Sequence, residues 1–112
     1  MSDALGPFGQ LREALARAEE MLALWRLEAD RRGEAASLNR VGLAHSELGD
    51  QPQALVFLAQ ALELRRADGN AWGKGESLND IAVARGDLGE LPEAVALYTE
   101  ALEFARASGD RL

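Results

Sequence analysis

The chain carries one unit of 40 residues twice in succession, at residues 33–72 and 73–112. The two units align without a gap, so that Ser-Leu-Asn at 37–39 falls on the same tripeptide at 77–79. A fixed period of this length is the signature of a stacked-repeat architecture. Proteins of that kind present an extended surface to a partner, so the period favours binding over catalysis.

Each unit has the pattern of two consecutive helices. Apolar and small residues recur at helical spacing from Leu38 to Leu48, and Gly49 follows where a left-handed residue ends a helix. Asp50 is placed to cap the next helix, and Pro52 falls in its first turn, where the missing N–H costs nothing. The same signals return 40 residues later, so the second unit is also expected to form a helix pair.

These patterns predict an all-α fold. Residues upstream of the first unit align on the second helix of a unit, so they are expected to form half a repeat. We expect a single domain over 1–112, divided into a half repeat at 9–31 and repeats at 33–72 and 73–112. The five helices are predicted at about 9–31, 35–48, 51–67, 74–88 and 91–107. No strand is expected, because alternation of apolar and polar residues is not sustained anywhere.

The helix pairs resemble the tetratricopeptide repeat, in its long variety with a 40-residue period. The residues that carry the resemblance are Leu38, Val41-Gly42, Gly49-Asp50, Ala54, Leu58 and Ala61-Leu62, with Leu78, Ile81-Ala82, Gly89-Glu90, Ala94, Tyr98 and Ala101-Leu102 in the second unit. The resemblance implies a right-handed α–α superhelix, or solenoid, of antiparallel helix pairs. It also implies a non-enzymatic scaffold for protein–protein interaction.

In this family the first helices of successive repeats line a concave groove that binds a peptide or protein segment. Alignment places Asn39, Leu43, Ser46, Glu47, Glu76, Asn79, Val83 and Asp87 in that groove. A side-chain amide both donates and accepts, so Asn39 and Asn79 are expected to have free side chains that hold an extended segment. The alternative is that each amide bonds a neighbouring part of its own protein, and the sequence leaves both open.

The net charge of −7 argues against nucleic acid and anionic membrane surfaces as partners, since both require clustered Lys and Arg. It permits a basic or amphipathic protein partner, although an acidic surface also serves solubility alone. The chain has no cysteine and no apolar run near the ~18 residues of a membrane span, and its first residues, which lack a basic start and an apolar core, are not expected to be a signal peptide. We therefore expect a cytoplasmic protein, and the preference for Arg over Lys suggests a bacterial source.

No pattern of catalytic residues is found. His45 is the single histidine, and on a packed helix it is expected to be a packing residue. No second His and no Cys accompany it, so no metal site is expected. No phosphate-binding loop is present, and no cofactor is expected.

The aromatic residues and the helix ends raise a second possibility. Trp72, at the junction of the two units, is expected to pack one repeat on the next, and Trp25 is expected in the core. The last helix is apolar on two faces, which suggests a homodimer formed through uncapped ends by Leu97, Tyr98 and Phe104. The alternative functions are therefore a self-associating oligomerisation module and a regulatory fragment of a larger bacterial signalling protein.

Overall fold

The structure, a computed structural model, consists of five α-helices joined by short turns. It describes residue 6 and residues 8–107, so the final residues of the second predicted repeat, 108–112, lie outside it. The helices are α1 (Gly9–Leu27), α2 (Arg31–Glu47), α3 (Gln51–Asp68), α4 (Ala71–Asp87) and α5 (Leu91–Ala107). Over this part of the chain there is no strand, and the prediction of an all-α fold with five helices is confirmed.

The helices stack in chain order, as in a solenoid. Each helix packs against the next one along the chain, and α2 also contacts α4. The helices α2 and α4 begin 40 residues apart, and so do α3 and α5. The two helix pairs are therefore equivalent units, and α1 occupies the position of a second helix in front of them.

Three helix ends differ from the prediction. The first helix ends at Leu27, not at 31, because Ala29 adopts a left-handed conformation with φ of 57°. The Asp30 side chain then accepts a hydrogen bond from the Gly33 N–H at 2.9 Å and starts α2 four residues early. Asn70 caps α4 in the same way, accepting from the Gly73 N–H at 3.1 Å, so α4 begins at Ala71 and not at 74.

The turns within the helix pairs follow the prediction. Gly49 and Gly89 have φ of 90° and 82°, a left-handed conformation that glycine adopts without the strain of a Cβ. Asp50 accepts a hydrogen bond from the Gln53 N–H at 3.2 Å, which confirms its predicted role as a helix cap. Short, rigid turns of this kind hold the two helices of a pair antiparallel.

Small residues set the spacing between helices. A Cβ added to Gly42 would lie 2.7 Å from Cγ of Leu58 and 3.1 Å from the carbonyl oxygen of Ala54, so α2 and α3 touch at backbone distance. The largest core cluster lies between α3 and α4, and it consists of Ala54, Leu58, Leu62, Leu78, Ile81 and Ala84. This cluster packs α4 against α3, and α4 also contacts α2.

Equivalent positions at the two inter-repeat junctions are filled differently. The Trp25 ring lies directly against Gly33, where a Cβ would overlap it, so Trp25 packs between α1 and α2. At the next junction Arg65 takes the equivalent place against Gly73. The prediction that Trp72 packs the repeats together is wrong, because its side chain is 85% exposed in the first turn of α4.

Candidate protein-interaction surface

The neighbouring helices α2 and α4 expose one side each, and we call this pair of sides the α2–α4 face. On α4 it comprises Trp72, Glu76, Asn79, Val83 and Asp87, whose spacing places them on one side of a helix. On α2 its members include Leu43 and Glu47. Leu43 is 36% exposed and Val83 is 42% exposed, and these two residues occupy the same position in successive repeats.

Asn39 does not belong to the open part of this face. Its side chain is buried, donates from Nδ2 to Oδ2 of Asp80 at 2.8 Å, and accepts from Oγ of Ser77 at 3.1 Å. Both polar atoms of the amide are thus used to join α2 to α4. The expectation of a free Asn39 amide in the groove is therefore wrong. The Asn79 side chain is exposed, and it also hydrogen-bonds the Asp80 carboxylate.

The hydrogen bonds of Asn39 continue to a buried arginine. The Arg65 Nη1 donates to Oγ of Ser77 at 3.0 Å and to the carbonyl oxygen of Gly73 at 3.1 Å, and it lies 3.0 Å from Oε1 of Glu76. Arg65 Nε is buried and has no hydrogen-bond partner among the described residues. This buried network links α2, α3 and α4, so it fixes the relative position of the two helices that form the face.

Sequence reasoning did not assign Arg65 a role, although a signal exists. Arg65 continues the buried stripe of Ala61 and Leu62 at helical spacing, and a charged residue on a buried stripe requires a partner. Its position is that of Trp25 in the preceding helix. A charge at that position predicts a polar junction between repeats.

Ser46 and Asp87 are brought together at the other end of the face. Ser46 Oγ donates to Oε1 of Gln51 at 2.9 Å, and the Gln51 amide donates to the Ser46 carbonyl oxygen at 3.2 Å. The same amide lies 3.3 Å from Oδ2 of Asp87. Gln51 is the first residue of α3 and Asp87 the last residue of α4, so this contact joins the two helix ends. Ser46 is half-buried, and the Asp87 carboxylate stays exposed.

The charge of the face is predominantly acidic. Glu47, Glu76 and Asp87 are exposed, and Arg40 is the neighbouring exposed base on α2. Burial raises the pKa of Asp80, while the hydrogen bond from Asn39 acts in the opposite direction without cancelling it. The exposed carboxylates therefore dominate what an approaching partner meets.

Trp72 is the largest exposed apolar side chain in line with these carboxylates. It lies one helical turn before Glu76 on the same side of α4. The helical spacing of residues 72, 76, 79 and 83 indicates that Trp72 lies on the same side of α4 as the predicted groove residues. Its place at a repeat junction instead predicted a packing role. An exposed indole beside carboxylates offers a surface for a cation or an apolar group.

The residues predicted for self-association are separated by the structure. Leu97 packs against the core cluster, and Phe104 is half-buried with Nζ of Lys74 4.4 Å from its ring centre. Tyr98 alone of the three is exposed, at 43%. The open apolar surface of α5 therefore includes Tyr98 but neither Leu97 nor Phe104.

The remaining sites of chemical interest are accounted for by packing. His45 stacks on Phe57 with ring centres 5.5 Å apart, as expected of a packing residue. Within residues 8–107 no group of three or more His, Cys, Asp or Glu side chains is placed to hold a metal ion. None of the described helices has the length and apolarity needed to cross a membrane.

Comparison with known families agrees with the geometry. Two family models described as tetratricopeptide repeat match the chain, one over residues 3–67 and the other over residues 75–108. The first match alone covers more than half of the chain. A search of curated proteins finds no match.

Proposed function

Because the chain belongs to the tetratricopeptide repeat family, whose domains are generally protein–protein interaction modules, we infer that it is a non-enzymatic scaffold that binds a segment of a partner protein on the α2–α4 face. The observation that carries this inference is the exposure of Leu43 and Val83 at equivalent positions of adjacent helices. Apolar side chains repeated in register along a surface favour an elongated ligand over a small molecule.

The charges around the apolar pair define the class of partner. Exposed carboxylates of Glu47, Glu76 and Asp87 surround Leu43 and Val83, so a segment with Lys or Arg beside large apolar residues is complementary. The segment is accordingly basic or amphipathic. Asn79 supplies an exposed amide for its backbone, while Asn39 contributes only by holding α2 and α4 in register.

Trp72 extends the face beyond the carboxylates. Its indole is open at the start of α4, and a basic side chain lying over it would be within reach of Glu76 one turn away. Aromatic residues commonly dominate the energy of binding surfaces, so Trp72 is the residue whose removal should cost most affinity.

Selection from a random peptide display library tests the proposal. We expect selected peptides to be enriched in Lys, Arg and large apolar residues, and to bind more weakly as salt rises. The double variant Leu43→Gln with Val83→Gln should lose at least about tenfold in affinity, or roughly 1.4 kcal/mol. Its matched control is Val56→Gln, because Val56 is 49% exposed on α3 and lies off the face.

Two results would contradict the proposal. The first is equal loss of affinity in the Val56→Gln control, which would place the peptide elsewhere. The second is selection of peptides without basic residues, which would leave the face without its inferred charge complementarity.

A further inference from the structure

The outer side of α5 carries a continuous apolar stripe, which we call the α5 seam. It consists of Leu91, Val95, Tyr98 and Leu102, which are 62%, 62%, 43% and 52% exposed. Successive members are four, three and four residues apart, so they lie along one side of the helix. A contiguous apolar patch of this kind on a folded protein marks an interaction surface.

The equivalent residues of α3 show what such a stripe does in this fold. Leu55, Leu58 and Leu62 occupy the positions of Val95, Tyr98 and Leu102 one repeat earlier. Leu58 and Leu62 are buried and Leu55 is partly buried, in the cluster that α4 completes with Leu78 and Ile81. The α5 seam therefore has the composition of a helix-packing surface, and no described element of the chain covers it.

We propose that a second copy of this chain covers the α5 seam, with the two α5 helices antiparallel about a two-fold axis. The spacing of four, three and four reads the same from either end of the helix. An antiparallel pair therefore places Leu91 opposite Leu102 of the other copy, and Val95 opposite Tyr98. Contacts that repeat in this reciprocal way close into a dimer.

The charges of α5 suit such a pairing. Its carboxylates at Glu93, Glu100 and Glu103 lie off the seam, and Glu100 is held by Arg66 of α3 at 3.1 Å. Exposed residues flanking the seam include the small Thr99 and Ala105, which allow two helices to approach closely. Two copies that each carry a charge of −7 can then meet without placing carboxylates against each other along the seam.

The ends of the two helices add an attraction. Arg106 lies in the last turn of α5, and the carboxylates of Glu90 and Glu93 lie at its start, where Glu90 also pairs with Arg85 at 2.7 Å. Antiparallel packing brings Arg106 of one copy towards that acidic end of the other. A parallel pair would instead set Arg106 beside Arg106.

The dimensions of the seam predict a weak dimer. A helix of 17 residues is about 25 Å long. One side of such a helix buries less area than the roughly 800 Å² that each partner contributes to a standard stable interface. The dimer should accordingly dissociate at micromolar concentration. Added salt should strengthen it, because salt screens the repulsion between two acidic copies.

Sedimentation equilibrium of the full chain, from about 1 to about 500 µM, measures this association. The wild-type chain should shift from monomer to dimer mass, and Val95→Glu should remain monomeric, with at least a hundredfold weaker association. The matched control is Val56→Glu, which makes the same change at a 49% exposed valine of α3 and should dimerise normally. Far-UV circular dichroism checks that both variants are folded.

A monomer mass for the wild-type chain throughout that range would overturn the proposal, because it would mean that a second copy does not cover the α5 seam. Dimerisation of Val95→Glu with wild-type affinity would equally overturn it. Neither result bears on the α2–α4 face, whose ligand is tested by separate variants.

Disulfide cross-linking tests the orientation, because the chain has no cysteine of its own. A mixture of Leu91→Cys and Leu102→Cys proteins should form a covalent heterodimer under mild oxidation. Each variant alone should cross-link much less. Efficient cross-linking of Leu91→Cys with itself would show a parallel pair and overturn the antiparallel arrangement.

Discussion

The side-chain amide of Asn39 donates a hydrogen bond to the carboxylate of Asp80 at 2.8 Å, joining the first helices of two successive repeats. Its oxygen accepts from Ser77, which in turn accepts from Arg65. The residue with the strongest sequence signal for ligand binding is thus a structural link between repeats. Its counterpart Asn79 has the same local sequence and an exposed side chain.

The two asparagines provide a matched pair for a stability measurement. Asn39→Ala should lower the free energy of unfolding by about 2 kcal/mol, because it removes the acceptor of the buried Ser77 hydroxyl and one hydrogen-bond donor to the half-buried Asp80 carboxylate. Asn79→Ala should change it by less than about 0.5 kcal/mol, as expected at an exposed site. Urea unfolding followed by circular dichroism measures both. Equal effects of the two substitutions would show that the Asn39 bonds contribute nothing net.

Asp80 predicts a pH dependence of stability with a definite sign. Burial, aided by repulsion from Glu76, raises the pKa of Asp80 above its ordinary value of 3.8, against the hydrogen bond from Asn39. A raised pKa in the folded state means that protonation stabilises the fold. This contribution is fully present below pH 3.8 and is lost as pH rises through the folded-state pKa.

The variant Asp80→Asn removes this titration while keeping an oxygen that can accept from Asn39. We expect it to gain stability relative to wild type at pH 7, and to lose that advantage as the pH falls towards 3.8. Urea unfolding across this range gives the difference curve. Glu47→Gln, at an exposed carboxylate of α2, is the control. A pH-independent difference between Asp80→Asn and wild type would contradict the effect of burial.

Two helical glycines should respond in opposite directions to the same substitution. Gly42→Ala should destabilise the protein by about 2 kcal/mol, because its methyl group would meet Leu58 and the Ala54 carbonyl oxygen. Gly75→Ala should stabilise it by about 0.5 to 1 kcal/mol, because no atom lies within 4 Å of the added carbon and alanine favours a helix. Thermal and urea unfolding would reveal the opposite signs. A gain in stability for Gly42→Ala would show that α2 and α3 can separate at no cost.

The two tryptophans should differ equally clearly. Trp25→Ala should lower the free energy of unfolding by about 2 kcal/mol, since its half-buried ring fills the space against Gly33. Trp72→Ala should change stability by less than about 0.5 kcal/mol, because the side chain is 85% exposed. Acrylamide quenching of fluorescence in the single-tryptophan variants provides an independent check, with strong quenching expected for Trp72 and weak quenching for Trp25. The reverse order would contradict the packing at the junctions.

The sequence determined the fold through signals that act over short distances. The spacing of small and apolar residues predicted five helices, and Gly49 and Asp50 predicted the turn inside the first pair. These signals work because helix caps and left-handed glycines depend on neighbours within one turn. Where the competing signal was subtle, as at Ala29 and Asp30, the predicted helix ran four residues too far.

Only the tertiary structure decided which members of repeated positions are buried. Asn39 is covered because α4 lies beside it, and Leu58 and Leu62 are covered for the same reason. Asn79, Tyr98 and Leu102 occupy equivalent positions, yet they remain exposed because no described helix follows α5. Equivalent positions of the two repeats thus acquire different roles, because their burial depends on whether a neighbouring helix covers them.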